Sequence, residues 1–137
     1  MAEGRGERLR VLPAMPRCEI VLCKPDFSAS TPVLFKRIDS AEILKHPDND
    51  AMEQALEKGD IYSISAYVCN VFDEVVSSDY PQVAAVKNVL HSNGALCSQM
   101  TGSGSVIFGI MPDEASAEAA AAELKKLGYE AYITEPV

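Results

Sequence analysis

The apolar positions along this chain change period several times, and each change marks an element. "EIVLCK" at 19–24 is a short β-rich apolar run stopped by Pro25, the pattern of a buried strand. The segment before it carries Gly4, Gly6, Pro13 and Pro16 with no sustained period. Residues 1–18 are therefore read as a linker or loop and 19–137 as one domain. After Pro25 the spacing turns helical. Ser30 or Thr31 can cap a helix whose first position is Pro32, since proline suits the first turn. Asp48 or Asn49 caps the next, with Met52, Ala55 and Leu56 on one face and Gly59 as its stop. Asp60 caps another in which Ile61, Ile64, Val68, Val71, Phe72 and Val75 recur at helical spacing, so one continuous helix is predicted there. Pro81 opens a further helix with Val83, Val86 and Leu90 inward and Asn93-Gly94 at its end.

The last third alternates cleanly. "ALCSQM" (95–100) and "SVIFGIM" (105–111) are two strands joined by a Thr-Gly-Ser-Gly turn. Asp113 caps an alanine-rich helix with Glu114 early and Lys125-Lys126 late, in line with the helix dipole, and Gly128 ends it. Its expected inward stripe is Ala117, Ala120, Ala121, Leu124 and Leu127, and "YEAYIT" (129–134) is the final strand. With the inserted helices set aside, the order is βαββαβ. That predicts an α+β fold, a ferredoxin-like antiparallel sheet with extra helices inserted after the first strand. Such a topology puts the first and third strands in the centre. "IVLC" and "VIFGI" are the runs apolar on both faces, while the expected edge strands carry Ser98, Gln99, Glu130 and Thr134. Both faces of the sheet centre are therefore expected to be covered, with the inserted helices available to do so.

Composition narrows the partners. The 137 residues suffice for one domain with a real core. Net charge is −8, unevenly spread: residues 1–45 hold eight Lys/Arg against six Asp/Glu, and 46–137 hold four against fourteen. An acidic body repels nucleic acid and anionic lipid, so neither is an expected partner. No apolar run approaches the ~20 residues of a membrane span. The N-terminus lacks the basic-then-apolar layout of a secretory signal, and a cytoplasmic location is expected. Cys18, Cys23, Cys69 and Cys97 form no Cys-x-x-Cys pair, and His46 and His91 stand apart. No metal site is expected, and the cysteines read as free thiols.

The chemistry is concentrated in "MTGSGSVIFGI", 100–110. A Gly-Ser-Gly turn between strands exposes backbone N–H groups and hydroxyls without Cβ obstruction, and such a nest can receive an anion. On the residues alone, a hairpin that needs glycine for positive φ is the favoured account, since glycine-rich turns are common. The run is not a Walker-A loop, since no Gly-Lys-Ser/Thr follows. Nor is it a dinucleotide fingerprint, which leads into a helix rather than a strand.

The same run resembles the third conserved motif of the GHMP kinases. "GERLRVLPAMPRCEIVLCKPDFSASTPVLFKRID" and "NVFDEVV" (70–76) are similar to segments of one of its members, the 4-diphosphocytidyl-2-C-methyl-D-erythritol kinase family. The likeness extends over nearly the whole chain. It implies the C-terminal, substrate-side domain of a kinase that uses ATP and magnesium to phosphorylate the 2-hydroxyl of a cytidyl diphosphate substrate in non-mevalonate isoprenoid synthesis. Enzymes of this kind run to roughly twice this length, as two domains. The N-terminal domain, with its ATP-phosphate loop and catalytic lysine and aspartate, is not found here. By this likeness no catalytic residue and no cofactor belong to this chain alone, and it is expected to be inactive by itself. Its implied partners are the substrate, the ATP-binding domain and, through apolar surface that domain would cover, a second copy of itself. Carried over by motif, Phe35 would stack on the cytosine, Lys36 would sit beside it, and Thr31 would lie near the phosphates. Thr101, Gly102, Ser103, Gly104 and Ser105 would face the ATP-phosphate loop. Asp73 and Glu74 are given only a packing role. Two alternatives stand beside this: the C-terminal domain of another GHMP kinase such as homoserine kinase, or a stand-alone ferredoxin-like regulatory or interaction module.

Overall fold

The computed structural model describes residues 1–3, 6–27, 31–40 and 46–137. In chain order its elements begin with β1 (Ala2–Glu3), β2 (Arg8–Leu9) and β3 (Glu19–Lys24). Five helices follow: α1 (Thr31–Ser40), α2 (Asn49–Lys58), α3 (Ile61–Tyr67), α4 (Val71–Ser77) and α5 (Pro81–Ser92). The chain then runs through β4 (Cys97–Met100), β5 (Ile107–Met111), α6 (Glu114–Lys126) and β6 (Glu130–Thr134). The segment read as a loop contains the β1–β2 hairpin, which the Arg10 guanidinium ties to Glu53 of α2 through a paired ion contact.

The main sheet has the order β4-β5-β3-β6, all antiparallel. β3 and β5 are central, as their two-sided apolar runs predict. Register sorts the side chains. Val21 faces Gly109 and Cys23 faces Ile107 on one face, while Ile20 pairs with Ile110 and Leu22 with Phe108 on the other. The first face is closed by α5 and α6. Ala117, Ala120, Ala121 and Leu124 are buried against it, and small residues let the α6 backbone come close. Val83, Val86 and Leu90 of α5 are fully buried beside them. Burying each such side chain stabilises by about 1.5–3 kcal/mol. Gly109 has a packing reason: a Cβ there would stand 3.1 Å from a Leu90 methyl, so α5 seats directly on bare backbone. The second face is only partly covered, with Ile20, Leu22 and Phe108 half-buried. The expectation that both faces would be closed is thus corrected, since the inserted helices α2 to α4 gather at the β4 edge rather than across the sheet. α4 packs on β4, and Ser65 of α3 lies beside Cys97.

The caps follow the sequence closely. The Asp48 carboxylate accepts from Ala51 N–H at 3.0 Å, and Gly59 ends α2 at φ +64. Asp60 accepts from the Tyr62 and Ser63 amides and the Ser63 hydroxyl, the last being the main cause of its lowered pKa. Asp113 accepts from Ser116 N–H at 2.8 Å. At α1, Ser30 lies outside the described residues, and Thr31 is the first helical residue rather than a cap before Pro32. Two further expectations fail. Leu127, placed on the inward stripe of α6, is 58% exposed because it is the C-cap, where the chain leaves the helix. The helix predicted from Asp60 through Val75 is two helices, since Val68 is extended and Asn70 starts afresh as the N-cap of α4.

Candidate functional site

The glycine turn is closed by its own backbone. Thr101 N–H donates to the Val106 carbonyl at 2.8 Å, and Gly104 N–H donates to the Thr101 carbonyl at 2.9 Å. Gly102 and Gly104 both take positive φ, +50 and +97. Among the described residues the N–H groups of Gly102 and Ser103 meet no acceptor. Consecutive free amides with a hydroxyl beside them form a concavity suited to an anion.

The substrate helix expected from the sequence lies against this turn. Thr31 Oγ1 and Ser103 Oγ are 3.1 Å apart, across 72 positions of chain. One helical turn on, Phe35 is 54% exposed and meets Phe72 in a T-shaped contact, with ring centroids 5.1 Å apart at 90°. More than half of the residue is open to solvent, where a flat ring could stack. Lys36 beside it is exposed. Arg37 pairs with Asp79 in the turn after α4, and Leu34 is buried beneath. Thr31, Phe35 and Ser103 thus share one rim. Ser105, two residues after Ser103, lines a cleft of about 740 Å³ with Lys24, Pro25, Asp26, Phe27, Tyr129 and Glu130 among its walls.

Asn70 is the residue the sequence reading passed over. Its Oδ1 accepts from Phe72 N–H at 3.0 Å, capping α4. Its Nδ2 donates to the Met100 carbonyl at 2.5 Å and the Gly102 carbonyl at 2.9 Å, gripping the turn from behind. An asparagine just before an apolar helical run is an N-cap signal, which would have found the helix start but not the turn. Asp73, given only a packing role, is 6% exposed and paired with Lys87 of α5. That buried ion pair fixes α4 to the core. Of the Glu74 side chain nothing is described.

Elsewhere the titratable groups carry no comparable geometry. Burial raises the Cys18 and Cys97 thiols and pushes Cys23 to about 11, which suits packed, unreactive cysteines. Among the described residues no group of three or more His, Cys, Asp or Glu could hold a metal. None of the helices described is long and apolar enough to cross a membrane.

A split βαβ sheet with helices on one face and a glycine turn meeting a helix at the rim defines the class. The model of the GHMP kinases C terminal matches residues 52–130, over half the chain, and the chain belongs to that family. The particular likeness is narrower still. The chain is 35% identical to the 4-diphosphocytidyl-2-C-methyl-D-erythritol kinase of Lachnospira eligens, over 98% of itself and 48% of that protein. It is 35% identical to the kinase of the same name from Listeria monocytogenes serotype 4a, over 99% of itself and 46% of that protein. It spans about half the length of the curated relatives it matches. Among solved structures, a 4-(cytidine 5'-diphospho)-2C-methyl-D-erythritol kinase superposes with a TM-score of 0.74 at 24% identity, covering 96% of this chain and 47% of that one. The Streptococcus pneumoniae phosphomevalonate kinase, solved with phosphomevalonate and AMPPNP, superposes at 0.70 and 17% identity, covering 90% and 41%. These superpositions establish the fold.

Proposed function

We propose that this domain is the substrate-side half of a 4-diphosphocytidyl-2-C-methyl-D-erythritol kinase, transferring the γ-phosphoryl group of ATP to the substrate's 2-hydroxyl. The observation that carries this reading is the 3.1 Å approach of Thr31 to Ser103, which joins the substrate helix to the glycine turn at one rim. Phosphoryl transfer demands little covalent chemistry from protein groups and much positioning and charge stabilisation. The roles divide accordingly. Phe35, held by its edge-to-face contact with Phe72, offers its exposed ring to the cytosine, and Lys36 lies beside that ring. Thr31 meets the diphosphate. The free amides of Gly102 and Ser103 face the phosphates where the two halves meet, and Thr101 and Gly104 shape the turn that presents them. Ser105, at the end of the turn, faces the ATP-phosphate loop with them.

ATP and magnesium belong to the complete enzyme in this reading. The turn fits the approach of a phosphate, but Thr-Gly-Ser-Gly-Ser without a following lysine is no nucleotide cradle. The chain alone is therefore assigned binding and orientation, not turnover.

The test is a hybrid enzyme. This chain is joined behind the N-terminal half of the Lachnospira eligens relative, in place of that protein's own C-terminal half. ADP release is then followed with 4-diphosphocytidyl-methylerythritol, homoserine and phosphomevalonate. Turnover with the cytidyl substrate alone is expected. Turnover with homoserine or phosphomevalonate instead, or a folded hybrid that releases no ADP with any of them, refutes the reading.

A further inference from the structure

We propose that Asn70 is a positioning residue for phosphoryl transfer: it holds the 101–105 turn in place from behind and couples it to the aromatic that props Phe35. The inference deepens the kinase reading and rests on it for its catalytic half.

The geometry of one side chain carries it. The three hydrogen bonds of Asn70 use both ends of its amide, so its orientation is fixed by its partners. Flipping it would set Oδ1 against two carbonyls and an N–H against Phe72 N–H. The turn needs such an anchor. Its glycines bring maximal backbone freedom, and Thr101, Gly102 and Gly104 are exposed. Asn70 holds the carbonyls on either side of Thr101, at Met100 and Gly102, and so pins the first half of the turn.

The anchor is itself anchored. One turn further along α4, Asp73 is buried and ion-paired to Lys87 on α5, which packs directly on the sheet. Between them lies Phe72, whose ring meets Phe35. The start of α4 is therefore one fixed point from which both the phosphate-facing turn and the stacking ring are placed. Where catalysis is mostly positioning, a displacement of about 1 Å in such a support can cost around a hundredfold in rate. A cap alone would not require the amide: aspartate or serine caps a helix as well as asparagine. The donors aimed at the turn are what only asparagine supplies here.

Two cap-preserving variants, Asn70→Ser and Asn70→Asp, separate the roles. Both keep an oxygen for Phe72 N–H and lose both donations to the turn. Amide hydrogen exchange on the chain itself is expected to quicken by roughly tenfold or more at Thr101 and Gly104, the loss of two neutral hydrogen bonds, with Phe72 unchanged. In the hybrid enzyme, kcat is expected to fall by about tenfold or more while KM for the cytidyl substrate stays within about threefold. Unchanged exchange at Thr101 and Gly104 overturns the anchoring. An unchanged kcat in an active hybrid overturns the catalytic role. A hybrid silent even with Asn70 in place refutes the kinase reading instead, and exchange alone then decides whether Asn70 holds the turn.

Discussion

Gly104→Ala tests how the turn is built, because two separate costs meet at that position. The first is backbone: φ is +97, a region where an L side chain costs about 1–2 kcal/mol. The second is steric. A Cβ would stand 2.8 Å from Met100 Sδ and 3.7 Å from its Cγ and Cε. Met100 is 1% exposed and packed in the core, so it cannot swing into solvent and must push against its neighbours. Overpacking of that kind costs about 1–3 kcal/mol, with methionine's flexibility favouring the lower end. The expected loss is about 2–4 kcal/mol in total. Gly102→Ala supplies the control: its φ is +50 and nothing lies within 4 Å of the added carbon, so only the backbone cost of about 1 kcal/mol remains. Urea unfolding followed by far-ultraviolet circular dichroism gives both values from the midpoints at a common slope. In a Met100→Ala background the Gly104 substitution is expected to fall to the Gly102 value. Equal losses for the two glycines, or no relief on removing Met100, would refute the assignment of the difference to that contact.

Two further outcomes follow from the core. Lys87→Met leaves the Asp73 carboxylate buried without its cation, and because Lys87 is itself 22% exposed the cost is expected at about 2–3 kcal/mol, below the range for a fully buried pair; urea midpoints within about 0.5 kcal/mol of the parent would contradict it. Cys23 has its thiol pKa raised by burial from 9.0 to about 11, so the unfolded chain releases this proton first as pH rises. Stability from this group is full below pH 9 and is lost as pH climbs through about 11, at no more than ~1.4 kcal/mol per pH unit. Cys23→Ala should flatten that decline, and an identical decline in the variant would remove Cys23 as its source.

What was legible in the sequence divides by the reach of the forces involved. Asp48, Asp60 and Asp113 each hold an amide two or three residues ahead, so a few neighbouring letters suffice to place the cap. Sheet order was legible because a central strand must be apolar on both faces, and only two runs are. The pattern did not reveal what covers those faces. Periodicity records which surface avoids water, not which element arrives to shield it, and Ile20, Leu22 and Phe108 stay half-buried. Leu127 failed for a related reason: its spacing was right for the stripe, but the helix ends there and its direction changes.

The break between α3 and α4 belongs to a third kind. Ile61, Ile64, Val68, Val71, Phe72 and Val75 satisfy a helical period straight through it, so no local rule forbids one helix. A continuous helix would hold Asn70 at helical φ and ψ in mid-helix, where its side chain could not cap a new start. It would also leave the carbonyls of Met100 and Gly102 without the donor they now have. The chain forgoes helical hydrogen bonds around Val68 and Cys69 and gains three at Asn70, two of them to a segment 30 and 32 residues away. The interruption thus coincides with the new helix start that sets Asn70 against the turn. Substituting Asn70 should therefore disturb the turn even where the helix start survives, which is why a cap-preserving change is the discriminating one.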